Sequence, residues 1–67
     1  MSVARVTEIT ASSKVSFQDA LEKGLERANK TLKNVKGAWV QEQTVEVEDG
    51  RISAYRVNMK VTFVLTD

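Results

Sequence analysis

Apolar residues recur through the first half of the chain with the spacing of one helix face. They are Phe17, Leu21, Leu25, Ala28, Leu32 and Val35, at intervals of 4, 4, 3, 4 and 3 residues. These intervals match the 3.6 residues of a helical turn. The pattern predicts an amphipathic helix of about five turns that begins near Phe17 and is closed by Gly37 as a left-handed residue after the last turn.

Polar and charged residues at both ends of this segment support the helix. Ser16 followed by Asp19 is a carboxylate version of the capping box, in which both side chains satisfy backbone N–H groups at a helix start. Asp19 and Glu22 lie near the start and three lysines gather near the end, as the helix dipole favours. Gly24, in the interior, indicates either a close approach by another backbone or a tolerated glycine.

Residues typical of β-structure flank the helix and predict three strands. Residues 3–10 form the first strand, residues 38–47 the second, and Asp49-Gly50 the turn into a third, antiparallel strand. One face of that last strand carries Tyr55, Val57, Met59, Val61, Phe63 and Leu65. This apolar face matches the helix stripe, so the pattern predicts one α+β domain over residues 1–67, β-α-β-β, with a three-stranded antiparallel sheet packed on one helix.

The opposite face of the predicted sheet is only partly polar. It carries Arg56, Asn58 and Lys60 from the third strand, joined in a matching register by Trp39, Gln41 and Gln43 from the second. Ile52, Ala54 and Val64 share it, which is more apolar surface than a solvated face needs. A two-layer fold leaves this face to water unless neighbouring subunits cover it, so we expect a subunit contact here and expect function to reside on this face.

Composition supports self-assembly. A domain of 67 residues without cysteine or histidine has a small core and neither disulfides nor structural zinc to support it, which leaves oligomerisation. Ten Lys and Arg residues against nine Asp and Glu argue against a nucleic-acid or membrane binder. No apolar run is long enough to span a membrane, and the start MSVARV lacks the apolar region of a secretory signal. We therefore expect a cytoplasmic protein.

Candidate catalytic groups are scarce. The chain has no histidine or cysteine to shuttle protons or act as a thiol nucleophile, and its three glycines form no phosphate-binding motif. We therefore expect no enzyme. The acidic residues Glu46, Glu48 and Asp49 cluster near the hairpin turn but lack the ligand spacing of a calcium loop, so a solvated turn is the simpler interpretation.

Three segments resemble the dodecin family. They are VTEITASS at residues 6–13, LERANKTL at residues 25–32 and YRVNMKVTF at residues 55–63. The order of strand, capped helix, tryptophan-containing strand, Asp-Gly turn and long last strand is similar from end to end. The resemblance implies a hollow homododecamer of cubic symmetry that has paired flavin sites near two-fold axes.

The resemblance also implies which residues hold the ligand. In flavin-binding dodecins a tryptophan at the start of the second strand stacks on the isoalloxazine ring, and a glutamine in the third strand hydrogen-bonds the polar edge of that ring. An ungapped match puts Gly37 at the tryptophan position, with Trp39 two residues later, and Arg56 at the glutamine position. The implied function is binding or sequestration of a small planar ligand, riboflavin or FMN, between subunits at Trp39, Gln41, Arg56 and Gly37.

Two residues leave alternatives open. Trp39 suits a ligand platform or an anchor between subunits, since aromatic residues are enriched at both kinds of contact. Arg56 suits a ligand carboxylate or phosphate, or a glutamate of a neighbouring subunit. The second hypothesis is accordingly a structural or calcium-binding dodecin-like assembly that does not bind flavin.

Overall fold

One helix and three antiparallel strands make up residues 3–65, the part of the chain that the computed structural model describes. The elements are β1 (Val3–Ser13), α1 (Phe17–Thr31), β2 (Val35–Glu48) and β3 (Arg51–Leu65). The strand order is β1-β3-β2 and both pairings are antiparallel. The predicted β-α-β-β fold is confirmed. Residues 1, 2, 66 and 67 lie outside the described part, including the first two residues of the MSVARV segment.

Two serines connect the end of β1 to the start of α1. The Ser16 hydroxyl oxygen accepts a hydrogen bond from the Asp19 N–H at 3.0 Å, so the predicted N-cap is confirmed. In a capping box the Asp19 carboxylate would accept the backbone N–H of Ser16. Here it accepts a hydrogen bond from the Ser13 hydroxyl at 2.5 Å and pairs with Lys23 at 3.2 Å. Ser13 in turn accepts the Val15 N–H at 2.9 Å. The aspartate therefore ties the helix to the strand before it.

The helix ends at Thr31, earlier than its apolar stripe predicts. Asn34 takes the left-handed conformation, with φ 61°, so the prediction that Gly37 closes the helix is wrong. Asparagine is one of the few residues with a side chain that tolerate this conformation. The Asn34 carbonyl accepts the Val64 N–H at 3.0 Å. Pairing with β3 thus redirects the chain into the sheet, and β2 begins at Val35.

The core lies between α1 and the β1–β3 part of the sheet. Its fully buried residues are Ala20, Val57, Met59 and Val61. Partly buried Ile9, Ala11, Phe17, Leu21, Leu25, Leu32 and Val35 pack against them. Gly24 is buried because the sheet is close: a Cβ there would lie 2.6 Å from Met59 Cε and 3.0 Å from Ala11 Cβ. The close approach expected at Gly24 is therefore real, but side chains make it rather than another backbone.

The β2–β3 hairpin extends beyond the rest of the fold. Pairing of β1 with β3 stops at Ser13 and Tyr55, so residues 51–54 pair with β2 alone. Both turn residues have positive φ, 52° at Asp49 and 75° at Gly50, which confirms the predicted Asp-Gly hairpin turn. We call residues 46–54 the hairpin arm. It helps to give the molecule its elongated dimensions, 51 × 19 × 13 Å.

Candidate ligand-binding face

The face of the sheet turned away from α1, here called the outer face, carries the even-numbered side chains of β3. This follows from strand alternation, because Val57, Met59 and Val61 are buried under the helix. Four rows of paired residues cross the face from β1 through β3 to β2. They are Val6, Thr62 and Gly37; Glu8, Lys60 and Trp39; Thr10, Asn58 and Glu42; and Ser12, Arg56 and Thr44. The first two rows form its aromatic half and the last two its polar half.

Trp39 dominates the aromatic half. Its side chain is 48% exposed, and the Lys60 ammonium lies 5.8 Å from the centre of its ring, within the range of a cation–π interaction. Gly37, in the next row, has open space where a Cβ would be and does not have a positive φ. Within residues 3–65, neither the backbone conformation of Gly37 nor its packing requires a glycine at this position. The result is a shallow, open patch beside an exposed indole.

The polar half is a network of hydrogen bonds that crosses all three strands. Arg56 Nη2 lies 3.2 Å from the Glu46 carboxylate, and Arg56 Nε donates to the Ser12 hydroxyl oxygen at 3.4 Å. The Asn58 side-chain amide donates to Thr10 Oγ1 at 3.0 Å, while its Oδ1 is buried without a hydrogen-bond partner among residues 3–65. A depression of about 320 Å³ is lined by Thr10, Glu42, Thr44, Arg56 and Asn58. This half offers the guanidinium donors of the 45% exposed Arg56 side chain.

Trp39 and Arg56 share the outer face but do not meet on it. Trp39 pairs with Lys60, which lies four residues from Arg56 along β3, a separation of about 13 Å at the rise of a strand. Within one protomer the structure therefore brings Trp39 to Gly37 and keeps it apart from Arg56. A ligand has to span this distance, or lie between two facing protomers, to contact both residues.

A bulge in β2 changes the register that the sequence pattern assumed. The irregularity falls at Gln41, an exposed residue without its own pairing partner on β3. Beyond the bulge, Gln43 lies opposite the buried Val57, so its predicted place on the outer face is wrong. Glu42 and Thr44 lie there instead. One extra residue shifts the alternation and exchanges the two faces.

The acidic residues near the hairpin turn do not form a metal site within one protomer. Residues 3–65 contain no group of three or more acidic side chains arranged to hold a metal ion. Glu46, one of the three acidic residues singled out in the sequence, is paired with Arg56 instead.

Within residues 3–65, no helix has the length and apolar character needed to cross a membrane.

Comparison with known proteins places the chain in a family. The dodecin family model matches residues 3–66, nearly the whole chain. The chain belongs to the dodecin family. The fold of this dodecin is similar to that of the dodecin from Streptomyces davaonensis, with a TM-score of 0.94 and 35% identity over 98% of this chain and 97% of that one.

Two further dodecin structures resemble the chain. A T. thermophilus dodecin variant with an arginine-to-alanine substitution has a TM-score of 0.95 at 25% identity, over 100% of both chains. The calcium dodecin from Mycobacterium tuberculosis, described as calcium chelating, has a TM-score of 0.82 at 29% identity, over 96% of this chain and 91% of that one. No curated protein matched. Dodecins are a family of ligand-binding, self-associating proteins whose members bind flavins.

Proposed function

We propose that this dodecin assembles as a homododecamer that binds or sequesters a flavin-type planar ligand, riboflavin or FMN, between the outer faces of neighbouring protomers. The observation that carries the proposal is the half-exposed Trp39 beside Gly37, a glycine that no contact in the described part of the chain requires. The two residues lie about 6–7 Å apart along one strand face. A planar ring stacked on the indole would extend over the position where Gly37 has no side chain.

Stacking on Trp39 supplies the first part of the binding energy. An aromatic pair contributes about 0.5–1.5 kcal/mol beyond the area it buries. Lys60 occupies a position over the same indole, so a ligand has to use the other ring face or displace the ammonium. A cytoplasmic flavin store needs only such modest, reversible binding, because its role is to hold the ligand and not to transform it.

The polar half supplies orientation from a second protomer. The isoalloxazine edge carries both carbonyl oxygens and an N–H group. Arg56 can donate to such oxygens or to a phosphate. Gln41, exposed at the bulge, adds an amide with both functions. Because Arg56 and Trp39 are separated within one protomer, their joint use supports an intersubunit site.

The assembly itself should be tested first. Analytical ultracentrifugation of the wild-type protein should show one large species of dodecamer mass and no stable monomer. Titration of that species with riboflavin and with FMN, followed by quenching of flavin fluorescence, should then saturate at micromolar ligand. A stable monomer, or an assembled protein that leaves flavin fluorescence unchanged, would refute the proposal.

Controls separate flavin binding from the structural or calcium-binding alternative. Trp39→Ala should lower the riboflavin affinity by about tenfold or more, whereas Val15→Ala, which trims a 70% exposed apolar side chain in the β1–α1 connection, should leave it unchanged. If Trp39 only anchors subunits, its alanine variant should dissociate and flavin should have no effect on the wild type. A thermal midpoint that rises with calcium but not with flavin would favour the calcium-binding alternative.

A further inference from the structure

Among residues 3–65, no third strand lies beside the hairpin arm. The arm is a two-stranded ribbon that extends past the end of β1 and the first residue of α1. Val47 and Ile52 pair across it and are 60% and 52% exposed. An isolated two-stranded hairpin is marginally stable in water and usually needs a third strand or a helix to pack on. The arm therefore needs a surface outside its own protomer.

Charge restricts what that surface can be. Residues 46–54 contain three acidic residues, Glu46, Glu48 and Asp49, and one basic residue, Arg51. Glu46 is paired with Arg56, whereas Glu48 and Asp49 lie at the exposed tip. A complementary surface has to combine an apolar floor for the valine and isoleucine with positive charge for the tip.

Two grooves run along opposite sides of α1, and their charges differ. The groove between α1 and β1, about 500 Å³, has Lys23 and Arg27 on its helix side and is here called the basic groove. The groove between α1 and the start of β2, about 470 Å³, has Glu22 and Glu26 on its helix side and is here called the acidic groove. Lys36 also lines the acidic groove and Lys23 is paired with Asp19, but only the basic groove has a lining of net positive charge, so this groove suits an acidic arm better.

The floor of the basic groove suits branched apolar side chains. It is formed by Ile9 and Ala11 of β1 and by Gly24 and Ala28 of α1. The two helix residues are small and buried, so no bulky helix side chain occupies this part of the floor. Thr31, exposed on the last turn of the helix, lines one end of it.

We propose that the hairpin arm of one copy docks in the basic groove of a neighbouring copy. Val47 and Ile52 lie on the groove floor, and the acidic tip faces Arg27. The arm points away from its own helix, so the contact joins two chains. A contact of this head-to-tail kind joins different surfaces of the two copies, and it closes copies into a ring when the rotation between them closes. The inference rests on the self-assembly in the proposed function, but not on the ligand.

Charge exchange tests the contact. Glu48→Arg and Arg27→Glu each place like charges together, so each should raise the concentration needed for half assembly by about tenfold or more in analytical ultracentrifugation. The double variant restores opposite charges and should recover assembly. Glu26→Arg, a charge reversal in the acidic groove, is the matched control and should assemble like the wild type. Circular dichroism checks that each variant is folded.

Disulfide trapping gives a second readout that does not depend on weakening the assembly. The chain has no cysteine, so any crosslink reports the introduced pair. The variant Val47→Cys/Thr31→Cys should form covalent oligomers on oxidation. Val47→Cys/Asn29→Cys, which moves the second cysteine to an exposed residue of the same helix lining the acidic groove, should not.

The outcomes separate two failures. A wild-type protein that is monomeric overturns the proposed function and this contact together. A wild-type assembly that tolerates both single charge reversals, a double variant that does not recover, or equal crosslinking of the two cysteine pairs overturns this contact alone.

Discussion

The Lys60 ammonium lies 5.8 Å from the centre of the Trp39 ring, across the β2–β3 pair and on the face of the sheet that the helix leaves uncovered. A cation in this position contributes about 0.5–1 kcal/mol at an exposed site. It favours one orientation of an indole that is otherwise half exposed. The outer face therefore presents a partly ordered aromatic platform, and several predictions depend on it.

Replacing Trp39 should weaken flavin binding in proportion to the aromatic surface removed. Trp39→Ala should lower riboflavin affinity by about tenfold or more, since both stacking and apolar contact are lost. Trp39→Phe keeps an aromatic ring and should lose less. The fluorescence of the flavin itself is the readout, because the variants lack the tryptophan signal. Equal affinities for the alanine variant and the wild type would show that the ligand does not stack here.

Replacing Arg56 should change which flavin is preferred. Arg56→Gln removes a permanent cation and introduces a neutral amide, so the ratio of FMN affinity to riboflavin affinity should fall. The salt dependence of FMN binding should fall as well, because one charge contact is lost. Titration with both ligands at low and high salt measures these effects.

The same Arg56 variant should remain folded. The Arg56 and Glu46 side chains are 45% and 50% exposed, and exposed ion pairs contribute about 0–1 kcal/mol. The urea midpoint of Arg56→Gln should therefore stay close to that of the wild type. An unchanged FMN preference in a folded variant would place the phosphate elsewhere.

Adding one methyl group at Gly24 should destabilise the fold. Alanine is normally the better helix residue by about 1 kcal/mol, but here its Cβ would lie 2.6 Å from the Met59 methyl and 3.0 Å from Ala11 Cβ. Overpacking of this kind costs about 1–3 kcal/mol, so we expect Gly24→Ala to lower the urea midpoint. Met59→Leu removes the clashing ε-carbon and should reduce the cost. A double-mutant cycle without coupling would contradict this packing.

Features of the fold set by neighbouring residues were predictable from the sequence. The Ser16 cap, the Asp49-Gly50 turn and the apolar face of β3 all depend on residues within a few positions of one another. The helix end did not follow from such a pattern, because it depends on a hydrogen bond between Asn34 and Val64, 30 residues apart. The apolar stripe continues into β2 since Val35 packs on the same core from a strand.

The candidate site was predictable only in part for a related reason. Alternation along β3 places Arg56 on the outer face, but the residue opposite it depends on the register of β2. Nothing in the sequence around Gln41 distinguishes a bulge from a regular strand. The sequence pattern therefore placed Gln43 on the outer face, where the structure has Thr44. The pairs Lys60–Trp39 and Arg56–Glu46 were not predicted, because each joins β3 to β2 and therefore depends on the register between the two strands.

Stability should depend on pH through Asp19. The Ser13 hydroxyl, followed by the neighbouring Lys23, lowers the pKa of the Asp19 carboxyl below its ordinary value. A carboxyl with a lower pKa in the folded state than in the unfolded chain stabilises the fold above the unfolded pKa, about 3.9. That stabilisation is lost as the pH falls through the folded pKa. Acidification below about pH 4 should therefore lower the urea midpoint.

Two variants assign this acid dependence to its residues. Asp19→Asn removes the titrating group, so its urea midpoint at neutral pH should be lower than that of the wild type, and the two should converge once the pH falls below the folded pKa of Asp19. Ser13→Ala removes the larger cause of the shift and should move the acid transition of the wild type to higher pH, whereas Lys23→Ala should move it less. If Asp19→Asn lost stability on acidification as steeply as the wild type, the dependence would come from other carboxylates and the Asp19–Ser13 hydrogen bond would have no part in it.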